Sequence, residues 1–132
     1  MNYKLIDMHI FGDERGKLIS LEGNRNVPFE IKRVYWIFDT HPEQARGCHA
    51  HKYMEQIIVA MDGCCKFVLD DGKTRDEVWL NRPDKGLYIG PDMWREMRDF
   101  SYGCKLVVLA SDYYNESEYI RDYNEFLRSI NG

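Results

Sequence analysis

Arg46-Gly47-Cys48-His49-Ala50-His51-Lys52, followed by Gln56 and then Gly63, is the stretch that decides how this chain is read. Two of the four histidines stand two positions apart, so on a β-strand both side chains project to the same face. Two imidazoles converging on one concave surface suit either metal ligation or proton transfer on a substrate. The residues around the pair favour proton transfer.

Outward from this stretch, turn-forming residues recur at short intervals: Gly12, Gly16, Gly23, Pro28, Pro42, Gly47, Gly63, Gly72, Pro83, Gly86, Gly90-Pro91 and Gly103. The runs between them predict strands over Tyr3–Ile10, Lys17–Leu21, Ile31–Phe38, Glu55–Met61, Cys65–Asp70, Asp76–Leu80, Gly86–Ile89 and Lys105–Ala110. Asp70-Asp71-Gly72-Lys73 predicts a hairpin turn, because Asp-Gly tolerates positive φ. Many short, evenly spaced strands imply an all-β antiparallel sandwich or barrel. Only the C-terminus predicts a helix. Asn115 and Glu118 are spaced as a capping box, and Tyr119, Ile120, Tyr123, Phe126, Leu127 and Ile130 follow helical periodicity. That stripe is expected to pack against the barrel or a subunit partner.

The 132 residues fit a single domain, residues 1–132, with no linker or low-complexity tract. A formal net charge of −4 argues against a nucleic-acid-binding surface. No run approaches the roughly 18–20 apolar residues of a membrane span, and the N-terminus lacks the apolar core of a signal peptide. A cytoplasmic protein is expected. Cys48, Cys64, Cys65 and Cys104 include no C-x-x-C spacing and read as free thiols in a reducing compartment. Arg46 and Lys52 flank the histidines, and Arg95 and Arg98 form a second basic group. Together these could receive one anionic small molecule.

The spacing of Gly47, His49, His51 and Gly63 resembles the first motif of the cupin barrel. In metal-binding cupins a glutamate stands where this chain has Gln56, and a third histidine follows a Gly-Pro turn. Here Gly90-Pro91 leads into Asp92-Met93-Trp94-Arg95-Glu96. A guanidinium repels a divalent cation and cannot ligate it. Two imidazoles and a neutral amide fall short of the three good protein ligands of a catalytic zinc or iron site. No metal and no cofactor are expected.

Nearly end to end, the chain resembles the sugar-nucleotide 3,4-ketoisomerases (FdtA-type or WxcM-like proteins). The resemblance is carried by Gly12-x-x-Arg15-Gly16-x-Leu18, Arg33-Val34-Tyr35-Trp36-Ile37, Arg46-Gly47-x-His49-Ala50-His51-Lys52, Pro91-x-x-Trp94-Arg95-Glu96-Met97, Leu109-Ala110-Ser111 and Tyr119-Ile120-Arg121-Asp122-Tyr123. It implies a cupin (RmlC-like jelly-roll) barrel with a short C-terminal helix, dimeric, with N-terminal strands exchanged between subunits. It also implies a dTDP-4-keto-6-deoxyglucose substrate whose ketone moves from C-4 to C-3, in deoxy- and amino-sugar biosynthesis for surface polysaccharide.

Such chemistry needs a proton removed at C-3, an enediol(ate), and a proton returned at C-4. An unperturbed imidazole titrates near 6.5 and can do both. His49 is expected as the carbon base and His51 as proton shuttle or oxyanion partner. The Tyr35 hydroxyl could orient an imidazole or hydrogen-bond the enediolate, or simply be a satisfied barrel phenol. Gln56 could hold a sugar hydroxyl or support His51. Arg46 and Arg95 suit diphosphate oxygens, with Arg15 and Lys52 as second choices; Arg15 would reach across the dimer if the N-terminal strand is exchanged. Trp94 could stack on thymine or fill the barrel mouth. Three other classes stay open: a metal-binding cupin enzyme, a sugar-nucleotide 3,5-epimerase, and a non-catalytic sugar-nucleotide-binding cupin.

Overall fold

Alternating side chains along each strand separate one closed interior from two outer faces, and this positions the site. A computed structural model describes residues 1–131. Its strands are β1 (Tyr3–Asp7), β2 (Phe11–Asp13), β3 (Gly16–Leu18), β4 (Arg33–Ile37), β5 (Arg46–His51), β6 (Gln56–Asp62), β7 (Cys65–Asp70), β8 (Arg75–Leu80), β9 (Lys85–Ile89), β10 (Trp94–Arg98), β11 (Lys105–Ala110) and β12 (Tyr119–Ile120), followed by helix α1 (Tyr123–Asn131). Two five-stranded sheets, ordered β1-β9-β6-β11-β4 and β12-β5-β10-β7-β8, face each other, and β2-β3 forms a separate hairpin. All strand pairs are antiparallel. The architecture is the expected jelly-roll sandwich with a single C-terminal helix.

The core between the sheets is built from every second residue. Ile58 and Ala60 of β6, Phe67 and Leu69 of β7, Leu87 and Ile89 of β9, and Leu106 and Val108 of β11 are buried together. The intervening residues of the first sheet face outward, where Ile57, Val59 and Leu109 are covered by Val27 and Phe29 from the loop before β4. Burying each such side chain contributes about 1.5–3 kcal/mol.

The Asp70–Lys73 turn closes the β7–β8 hairpin as expected. Gly72 has φ +92°, and a Cβ there would stand 2.0 Å from Ile130 Cδ1. Glycine is therefore needed twice, for the backbone and for the approach of α1.

The C-terminus departs from the expected single helix. Asn115 caps a short 3-10 turn (Glu116–Glu118), accepting from the Ser117 N–H. Tyr119 and Ile120 then pair with His51 and Ala50 as a strand. The helix proper begins at Tyr123, where the Asp122 carboxylate accepts from the Glu125 N–H. Glu118 does not complete a capping box; its carboxylate accepts from the Tyr53 and Met54 N–H groups at 2.6 Å each. A hydrogen-bonding loop thus outcompetes helical periodicity over residues 115–121. Beyond it the stripe packs on the barrel as expected, with Phe126 and Ile120 buried against Ala50 and Trp94. Among the described residues no helix is long and apolar enough to cross a membrane.

Candidate active site

His49 and His51 point inward from β5, while Cys48 before them and Ala50 between them point away. The backbone before them turns at Gly47, with φ +66° and no room for a Cβ, which would lie 2.4 Å from Met97 Cε. The sheet register chooses the pair's neighbours. On one side β10 sets Arg95 opposite His49, and on the other β12 sets Tyr119 opposite His51. The two imidazoles meet through their Nε2 atoms at 3.0 Å. Such a contact requires one ring to donate and the other to accept. The Tyr119 ring leans on both, with centroids 4.9 Å from His49 and 4.5 Å from His51.

A cavity of about 350 Å³ opens in front of the pair, lined by Arg33, Tyr35, Arg46, His49, Tyr119 and Arg121, among others. His49 borders it, whereas His51 is wholly buried behind. Arg33 lies 4.7 Å from the Tyr35 ring centre and donates to the Tyr119 hydroxyl at 3.4 Å. Arg121 is neutralised by Glu116 at 2.7 Å. Arg46 is exposed at the rim.

Beneath the histidines lies a buried polar chain. Arg95 is 1% exposed and donates to Gln56 Oε1 at 2.8 Å and to the Met93 carbonyl at 3.1 Å. Its Nε has no partner among the described residues. Gln56 in turn donates to the Tyr35 hydroxyl at 3.1 Å. Among the described residues no hydrogen-bond partner of Arg95 is a carboxylate, so no ion pair offsets its charge there. Burial lowers its pKa to about 10, which leaves it cationic at neutral pH.

The same burial acts on the imidazoles. Desolvation, then the Arg95 charge, holds His49 down to about 3 and lowers His51 further. Burial beside a fixed cation thus shifts both rings below the near-neutral titration expected from the sequence and keeps them neutral at pH 7. Burial raises the Tyr35 pKa, so the phenol keeps its proton.

The remaining sequence candidates are dispersed. Trp94 faces away from the cavity, edge-on to Tyr123 at 5.4 Å, and its indole N–H donates to Glu96. It fills the junction with α1 and is not part of the cavity lining. Gln56 contacts neither histidine; it bridges Arg95 and Tyr35. Lys52 is exposed on the loop after β5, outside the cavity lining. Arg15 is exposed in the β2–β3 turn, paired with Asp13 at 2.6 Å. Sequence reasoning missed Arg33, Tyr119 and Arg121 as lining residues. Arg33 was open to detection, standing two before Tyr35 on one strand and so on its face. Among the described residues no three His, Cys, Asp or Glu side chains converge to hold a metal ion.

The profile of the FdtA family (WxcM-like, C-terminal) matches residues 1–131. The chain belongs to that family. It is 51% identical over 130 residues to the TDP-4-oxo-6-deoxy-alpha-D-glucose-3,4-oxoisomerase of Aneurinibacillus thermoaerophilus, covering 98% of this chain and 94% of that one. Its fold superposes on a 3,4-ketoisomerase from Helicobacter canadensis with a TM-score of 0.99 and 57% identity, covering 100% and 99% of the two chains. A histidine-to-asparagine mutant of the 3,4-ketoisomerase QdtA from Thermoanaerobacterium thermosaccharolyticum, solved in complex with TDP-4-keto-6-deoxyglucose, matches with a TM-score of 0.95 and 41% identity, covering 98% and 94%. Family and fold are those the residues implied.

Proposed function

We propose that the protein converts dTDP-4-keto-6-deoxyglucose to its 3-keto isomer by histidine acid/base catalysis, without a metal. The observation that carries the mechanism is the 3.0 Å Nε2 contact between His49, in the wall of an arginine-lined cavity, and the buried His51. His49, at the cavity wall, takes the C-3 proton; the C–H electrons form the C-3/C-4 double bond and the C-4 carbonyl oxygen becomes an enediolate oxygen. The buried Arg95 charge and the Tyr35 hydroxyl favour that oxyanion. His51 exchanges a proton with His49 through the Nε2 contact; the O-3 proton passes to O-4 and the imidazolium returns a proton to C-4, which leaves the carbonyl at C-3 and a hydroxyl at C-4. Arg46 and Arg33 are the cations offered to the diphosphate, and Gln56 and Arg95 fill places where metal-binding cupins keep ligands.

The test is one NMR experiment with metal-stripped protein and substrate in deuterated water. A 3-keto product carrying deuterium at C-4 is expected. Exchange at C-5 would instead indicate an epimerase, activity only after metal is restored a metalloenzyme, and binding without exchange a non-catalytic cupin.

The active form is read as a homodimer with exchanged N-terminal strands. Val34 and Trp36 of edge strand β4 and Phe38 just after it lie exposed, and Phe11 and Leu18 lie exposed on the β2–β3 hairpin. Within one chain β1 already pairs with β9, so the exchange falls to the hairpin, whose turn would carry Arg15 toward the partner's cavity. Sedimentation equilibrium should return the mass of two chains, reduced to one by Trp36→Glu; a monomeric wild type would refute this. Reduced thiols throughout accord with a cytoplasmic enzyme.

A further inference from the structure

Gln56 is 1% exposed and hydrogen-bonded at both ends of its amide. Arginine has only donors, so the Arg95 guanidinium fixes the amide oxygen toward itself at 2.8 Å. The amide nitrogen is thereby turned to the other side. One of its protons reaches the Tyr35 hydroxyl at 3.1 Å, and the other side of the nitrogen faces Met54 Sδ at 3.7 Å. A tyrosine oxygen that accepts from an amide has one proton of its own left to place. Among the described residues that proton has no acceptor, and Tyr35 lines the cavity.

We propose that Gln56 is a positioning residue which, locked by Arg95, sets the polarity of the Tyr35 hydroxyl so that its proton points into the cavity toward the reacting sugar oxygen. The inference rests on the ketoisomerase reading above. The hydrogen bond runs in one sense from Arg95 through Gln56 to Tyr35. Donation into the phenol oxygen strengthens the phenol as a donor in turn, and it does so where negative charge develops as the C-3 proton leaves. A glutamate at this position would retain the shape and pair well with Arg95. Having no N–H, it would accept from Tyr35 and draw the phenolic proton away from the substrate.

That contrast separates polarity from packing. With chelator present, so that a new carboxylate beside two histidines recruits no metal, Gln56→Glu should melt within a few degrees of the wild type. Its kcat should fall at least about 30-fold with KM changed less than about threefold. In a Tyr35→Phe background the fall caused by Gln56→Glu should shrink several-fold, the remainder being the Arg95 charge that the new carboxylate neutralises. Gln56→Met, which removes the amide protons at similar volume, should likewise lower kcat and lose its effect beside Tyr35→Phe; it decides the matter if Gln56→Glu does not fold. A Gln56→Glu enzyme with wild-type kcat, or a loss of the same factor with and without the Tyr35 hydroxyl, would overturn the proposal. Failure of the wild type to isomerise in deuterated water would instead strike the ketoisomerase reading itself.

Discussion

Replacing His49 with Asn is expected to lower kcat by roughly a thousandfold, in the range typical for removing a positioned general base, while KM moves less than about fivefold. The residue borders the cavity but makes no hydrogen bond to the arginines that share its lining, so binding and chemistry should separate. Asparagine is shorter and cannot take a proton from carbon at neutral pH. It also breaks the 3.0 Å link to His51, leaving the inner imidazole without a path to the substrate. His51→Asn should cost nearly as much by cutting the same link from the other end, and the double replacement should cost little more than either alone, because the two rings act as a unit. Initial rates followed by NMR decide this. A His49→Asn protein retaining a tenth of wild-type kcat would remove His49 from the role of carbon base.

Acid should unfold the protein through the same two rings. Each has a folded-state pKa below the value near 6.5 of an unfolded chain. Below that value the unfolded state binds more protons than the folded one. Stability from their neutral burial is therefore complete above about pH 6.5 and is lost as pH falls toward about 3, where His49 charges in the fold. At about pH 4.5 both imidazoles are charged in the unfolded chain and neutral in the fold, so the pair has removed roughly a few kcal/mol, a large share of the stability of a domain this size. Thermal melts at pH 7 and pH 4.5 should differ strongly in the wild type and much less in the His49→Asn/His51→Asn protein; equal pH dependence in both would refute it. The same neutrality predicts that kcat/KM is flat between about pH 5.5 and 8, with no inflection near 6.5.

Much of the fold was legible because the chain alternates cleanly. Cys65–Asp70 and Lys105–Ala110 are strands over the very residues expected, and the two-residue spacing of the histidines brought both to the cavity side. What escaped notice depended on strand register. Nothing local marks Arg95 as buried, since arginine is ordinarily a surface residue; only its alignment opposite His49 draws it inside. Gln56 was recognisable as a missing metal ligand, yet its partners lie on two other strands. Tyr119 was concealed by the opposite error. It falls in phase with the helical stripe from Tyr123 to Ile130, and only the carboxylate of Glu118, bound to the loop after β5, shows that the chain there is still extended.

The place of Tyr119 in the chain has a consequence for biosynthesis. The aromatic ring that covers both imidazoles is delivered by the twelfth strand, after the two sheets could already have closed over their core, and it is secured by a helix that follows it. The last stretch of the chain to be synthesised is therefore the one that roofs the histidines, and a polypeptide ending at Ala110 would lack the ring that covers both imidazoles.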